Sequence, residues 1–190
     1  MGAIASAVVA AYALVFLSHQ ESIAQQQVKA TYLANLYTKQ VESIAALQAA
    51  FNEFDHTAYS VKAMAAVLDP VSDVPAFQSE LKALQGAPFT KLNEVNIKRN
   101  SVTLITPKSF SAAVLDLDIT YSGYEATIVT FLQGPSTEQA SKQFSEQLRK
   151  IVDDIERKSN FVWGCASKIL ATGRPIDEST MSECAGGGSI

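Results

Sequence analysis

The sequence predicts an α+β fold: a long N-terminal helix, apolar then amphipathic, on a small antiparallel sheet, with a second helix and a disulfide-closed C-terminal loop. Three observations point there. No glycine or proline occurs from residue 3 to residue 69. Short β-branched runs and one alternating stretch fill residues 94–132. The two cysteines, Cys165 and Cys184, flank an irregular stretch near the C-terminus.

The first helix begins in an apolar run. Residues 1–20 contain no Lys, Arg, Asp or Glu, and residues 3–17 read AIASAVVAAYALVFL. As a helix this run spans about 22 Å, a little short of the roughly 30 Å of a bilayer core. A retained membrane helix is the favoured reading. A cleaved signal peptide and a buried core helix are its rivals. Met1, Gly2 and Ser6 also fit the M-G-x-x-x-S pattern of N-myristoylation. Ala3, Ala7 and Ala11 recur every fourth residue, as do Gly2, Ser6 and Ala10. Such rows are either apolar filler or a surface on which helix backbones approach closely.

The helix is expected to continue to about residue 54. Leu33, Tyr37, Val41, Ile44, Leu47, Phe51 and Phe54 follow one another at steps of three and four, which places them on one stripe. The stripe can pack on the chain's own sheet or form a coiled coil with a partner. Shorter helices are expected over 59–68 and 74–84, ended by Asp69-Pro70 and by Gly86-Ala87-Pro88.

Strands are expected over 94–99 and 101–106. In the next stretch Ala113, Leu115, Leu117, Ile119 and Tyr121 alternate with Val114, Asp116, Asp118 and Thr120, the period of a half-buried strand. Ser122-Gly123 reads as a tight turn and 124–132 as the returning strand. After Gly134-Pro135, Ser136 as N-cap and Gln139 form a capping box for a helix to about residue 158, burying Phe144, Leu148, Ile151 and Ile155. Residues 161–163 and 168–172 read as short strands. The domain division is then 1–20 apolar helix, 21–54 amphipathic continuation, and 55–190 α+β domain.

Eighteen residues separate Cys165 from Cys184. A bridge across them stabilises by about 3 kcal/mol and belongs to an oxidising compartment. Two free thiols are the alternative. No metal site is expected, because His19 and His56 lie far from the cysteines and no C-x-x-C occurs.

Composition excludes several classes. Of the 190 residues 47% are apolar and 18% charged, with a net charge of −4 and basic residues no denser than pairs. This suits an ordered protein and gives no nucleic-acid footprint. No nucleophile elbow, phosphate loop, dinucleotide fingerprint or H-E-x-x-H occurs. Asp55-His56, the Asp116 and Asp118 pair, and Trp163 beside Gly164-Cys165 have structural readings: a helix end, a solvent face, and core packed on the disulfide. No catalytic residue, cofactor or metal is assigned.

The order of parts resembles the type IV pilin family and its pseudopilin relatives. The matching parts are residues 3–54, the strand region 94–132, the cysteine pair, and the FVWGC stretch at 161–165, which is like the segment that opens the stapled loop in many pilins. Position 5 holds Ala5, where mature pilins usually carry a glutamate. The resemblance implies a non-catalytic structural subunit or accessory of a type IV pilus-like or secretion-pseudopilus machine. Its partners would be the membrane and like subunits met through the N-terminal helix. Its place would be the bacterial inner membrane with a periplasmic domain, or an extracellular filament. The alternatives are a bitopic envelope scaffold or binding protein using residues 33–54 as a coiled coil, and a soluble enzyme with a buried first helix.

Overall fold

A run of seven apolar side chains shows why the chain folds as it does. Phe110, Val114, Leu117, Tyr121, Tyr124, Ile128 and Phe131 are separated by steps of four and three, and every one is buried. That is a helical stripe, and it passes directly through the stretch whose alternation suggests strands. The computed structural model describes the backbone of residues 2–67, 74–84 and 86–185. Side chains are described except at 1–15, 57–59, 62–73, 83–92 and 185–190.

Among the described residues there are six helices and no strand: α1 Gly2–Val67, α2 Val74–Leu84, α3 Gly86–Thr103, α4 Lys108–Gln133, α5 Glu138–Leu170 and α6 Glu178–Ala185. The expected antiparallel sheet is therefore corrected to helices. Residues 94–99 and 101–103 lie in α3, 113–121 and 124–132 in α4, and 161–163 in α5. The physical reason is burial geometry. In α3, Val95 and Val102 lie seven apart and are both fully buried. In α5 the buried positions Ser141, Phe144, Leu148, Val152, Ile155, Ser159, Val162, Ala166 and Ile169 keep the same three-and-four rhythm for eight turns. In each stretch the buried residues share one helix face, and tertiary burial overrides local β propensity.

Gly123, expected in a turn, sits inside α4 with open space where a Cβ would stand. The α5 N-cap is Thr137, whose Oγ1 accepts from the Ala140 amide at 3.2 Å, not Ser136. Ser136 instead donates to Gln78 Oε1 at 2.6 Å.

α4 and α5 form an antiparallel hairpin: Phe131 stacks on Phe144 next to the turn, at 4.2 Å, and Lys158 reaches Asp116 further along, at 2.9 Å. α1 lies across both. Phe51 meets Tyr121 of α4 (4.8 Å) and Trp163 of α5 (5.7 Å), and Phe54 meets Tyr121 and Tyr124. At one end α2 covers the hairpin turn, with Phe77 on Phe131 and Phe144. At the other end the 171–185 segment folds back over α1, α4 and α5.

The end of the first helix expected near residue 54 is also corrected, since α1 runs on to Val67. Of the stripe, Ile44, Leu47, Phe51 and Phe54 are core, Tyr37 and Val41 are half-buried, and Leu33 is exposed. Its packed half is thus used within the chain, on helices, which removes it as a coiled-coil surface. Among the described residues no helix is long and apolar enough to cross a membrane. That overturns the expected transmembrane helix as part of the described architecture. From residue 16 onward α1 carries Gln20, Glu21, Gln25, Gln26, Gln27 and Lys29 among its apolar side chains. The side chains of the proposed packing rows, Ala3, Ala7, Ala11, Gly2, Ser6 and Ala10, lie outside the described residues. The sheet expected from the pilin-like resemblance is missing as well, because among the described residues there is no strand for α1 to pack on.

Candidate functional site

Every residue of α1 from 16 to 35 is exposed. At 1.5 Å per residue this free stretch is about 30 Å long, and we refer to it as the arm. It carries Phe16, Leu17, Ile23, Val28, Tyr32 and Leu33, between 38% and 71% exposed. Its charges are Glu21 and Lys29. Gln25 Nε2 donates to Glu21 at 3.5 Å, a local contact on the helix surface. Exposed apolar residues on this scale, continuous with a charge-free segment, mark an interaction surface rather than ordinary scatter.

The arm is rooted in a polar socket at residues 37–40. Gln40 is fully buried. Its amide nitrogen donates to the Ile105 carbonyl (2.6 Å) and the Ile176 carbonyl (2.9 Å), and its Oε1 accepts from the Ile176 amide (2.6 Å). One side chain thereby ties α1 to the α3–α4 turn and to the C-terminal segment. Three turns' worth of helix is not needed for this; a single satisfied amide in a dry place suffices, because breaking it strands buried donors and acceptors. Tyr37 adds a hydroxyl donated to the Leu170 carbonyl at 3.1 Å.

The C-terminal segment is itself locally organised. Gly173 takes a φ of 72°, which reverses the chain after α5 where a side chain would be strained. Asp177 caps α6: its Oδ1 accepts from the Thr180 amide (2.9 Å), while Thr180 Oγ1 accepts from the Asp177 amide (2.9 Å). Hydrogen bonds from Ser179 and Thr180 hold the Asp177 carboxyl below the usual carboxylate range. Ile176 and Met181 are buried. Cys165 and Cys184 are joined at 2.05 Å, and Trp163 packs on Phe51.

The titratable groups serve the core. Tyr121 donates its hydroxyl to Asp55 Oδ1, and burial raises the Asp55 pKa against the opposing effects of Tyr121 and His56. Burial likewise raises Asp118, whose Oδ2 pairs with Arg99. The expected sharing of one face by Asp116 and Asp118 is corrected by the helix. Two positions apart on α4 they point apart, Asp118 inward and Asp116 out to Lys158. Burial also pushes the Tyr124 hydroxyl well above the usual phenol range.

Two surface grooves add little chemistry. One of about 510 Å³ lies between α3 and α4, lined by Arg99, Thr103, Lys108 and Ser111 among others. Arg99 is already neutralised by Asp118, and Lys108 faces Glu178. The other, about 260 Å³, is a neutral Thr and Gln groove at the α4–α5 turn, lined by Thr127, Thr130, Gln143 and Gln147. Neither is lined by Asp55 or Tyr121. Among the described residues no three His, Cys, Asp or Glu side chains gather in a way that could hold a metal ion.

The sequence alone singles out the cysteines and the stripe but not the socket. Gln40 reads there as one more polar residue between apolar ones, and its partners lie 65 and 136 positions away. Comparison of the chain with protein-family models, with curated proteins and with solved structures finds no match.

Proposed function

We propose that this protein is a non-catalytic structural subunit that assembles through the front of α1, holding its helical bundle away from the contact. The observation that carries this is the exposed stretch 16–35, which leaves the bundle as bare helix and continues into a segment without charge. A helix apolar on most sides is not stable in water unless lipid or like helices cover it. The disulfide supports an oxidising setting such as a periplasm or a cell exterior. The reading rests on this order of parts and needs no sheet.

Sedimentation of the full chain and of a chain lacking residues 1–20, with and without phosphatidylcholine vesicles, tests it. The full chain should self-associate or move with the vesicles. The shortened chain should stay monomeric and ignore them, with unchanged thermal unfolding, because packing on the bundle starts beyond residue 35. A full chain that stays a dispersed monomer and leaves vesicles alone would end the proposal.

A further inference from the structure

We infer that residues 171–185 are a clasp on the root of the arm, releasable by reduction of the Cys165–Cys184 bond. The segment reaches α1 and α4 as well as the α5 cysteine. Ile176 holds Gln40 of α1 through both its amide and its carbonyl. Ser109, at the start of α4, donates to Glu178 Oε2 at 2.6 Å. Arg174 bonds both carboxylate oxygens of Glu183 within the segment itself.

Besides the disulfide, the segment is held by three buried side chains and by the two Gln40–Ile176 bonds, and by little else. The stretch 171–177 is irregular, and α6 has eight residues, too few for an isolated helix to persist in water. The Ser109–Glu178 and Arg174–Glu183 contacts are exposed, and exposed pairs contribute little. The buried anchors are Ile176, Thr180 and Met181. Ile176 and Met181 sit at one end of the core, whereas the ring contacts that join α1, α2, α4 and α5 run through Phe51, Phe54, Phe77, Tyr121, Phe131 and Phe144. Opening the ring should therefore free the clasp and leave the bundle standing. Gln40 would keep its Ile105 partner and lose both bonds to Ile176, so α1 would loosen where the arm begins.

The release step is ordinary thiol–disulfide exchange with a dithiol reductant. A reductant thiolate attacks Cys184 Sγ, since Cys184 is half-buried and Cys165 is 4% exposed. The protein S–S bond breaks, and Cys165 leaves as thiolate and takes a proton. The reductant's second thiol then resolves the mixed disulfide. The protein gains two thiols and the reductant becomes a disulfide. The inference does not depend on what covers the arm.

Hydrogen exchange on the full chain tests it, oxidised and after reduction with a small dithiol. Exchange over 36–44 and 171–185 should quicken at least tenfold on reduction, with 114–128 and 144–155 unchanged. Gln40→Leu in the oxidised protein should reproduce the effect at 36–44, and reduction should add little to it there. Equal loss of protection throughout the chain would make the bond a general staple and overturn the clasp. So would unchanged exchange at 36–44 on reduction, or full additivity of the two perturbations.

Discussion

α1 is one unbroken helix with two unlike halves. From 16 to 35 every residue is exposed; from 40 to 61 Gln40, Ile44, Leu47, Ala50, Phe51, Phe54 and Val61 are buried. Both halves contain large apolar residues, so hydrophobicity alone does not separate them. Spacing does. The large buried residues Ile44, Leu47, Phe51 and Phe54 keep steps of three, four and three, whereas Phe16, Leu17, Ile23, Val28, Tyr32 and Leu33 scatter around the helix. A coherent stripe finds a place in the chain's own bundle, and a scattered set is left for something outside it.

Stability measurements can break this contrast. Phe51→Ala should cost about 3–5 kcal/mol in urea unfolding, and Val28→Ala should stay within about 0.5 kcal/mol of wild type. Similar losses at both sites would mean that the arm packs on the bundle in solution. Smaller effects sharpen the contrast. Ala24→Gly should cost about 1 kcal/mol of local helix stability, seen as faster exchange over 18–30 without a shift in the cooperative transition. Gly123→Ala in α4, where a Cβ meets nothing, should raise the cooperative transition by about 0.5–1 kcal/mol and leave arm exchange alone.

The packed half also carries a pH dependence. Asp55 has a raised pKa because burial disfavours its charge. The folded state then binds the proton more tightly than the unfolded chain. Its contribution is fully present below the unfolded pKa of about 3.9 and is lost as pH rises through the folded value. Asp55→Asn should therefore gain stability relative to wild type as pH goes from 4 to 7, with unfolding at both pH values as the readout. A constant difference across that range would show that Asp55 titrates alike in both states.

How much of this was legible depends on the region. The first helix as far as residue 54 and α2 at Val74–Leu84 follow from helix formers and breakers, and the cysteine pairing from their isolation around an irregular loop; the continuation of α1 to Val67 does not. The sheet did not survive. Ala113 to Tyr121 satisfies a period of two locally, but Phe110 to Phe131 satisfies a period of three and a half over six turns, and the longer pattern wins because it buries a whole face. The helical stripe shows only over about twenty residues, the alternation over nine. The socket was not readable at all. Nothing local distinguishes Gln40 from Gln25 or Gln48; only the arrival of Ile105 and Ile176 makes it a core residue.

That single glutamine acts as a register peg. With its amide spoken for by two separate backbone segments, α1 cannot slip by a turn or rotate without stranding polar atoms, so the point of emergence is pinned. Whatever lies beyond is then free to vary in reach. Each residue inserted between 20 and 35 would advance the tip by about 1.5 Å and swing its face by about 100°, so length and aim can change together while the globule that carries them stays as it was.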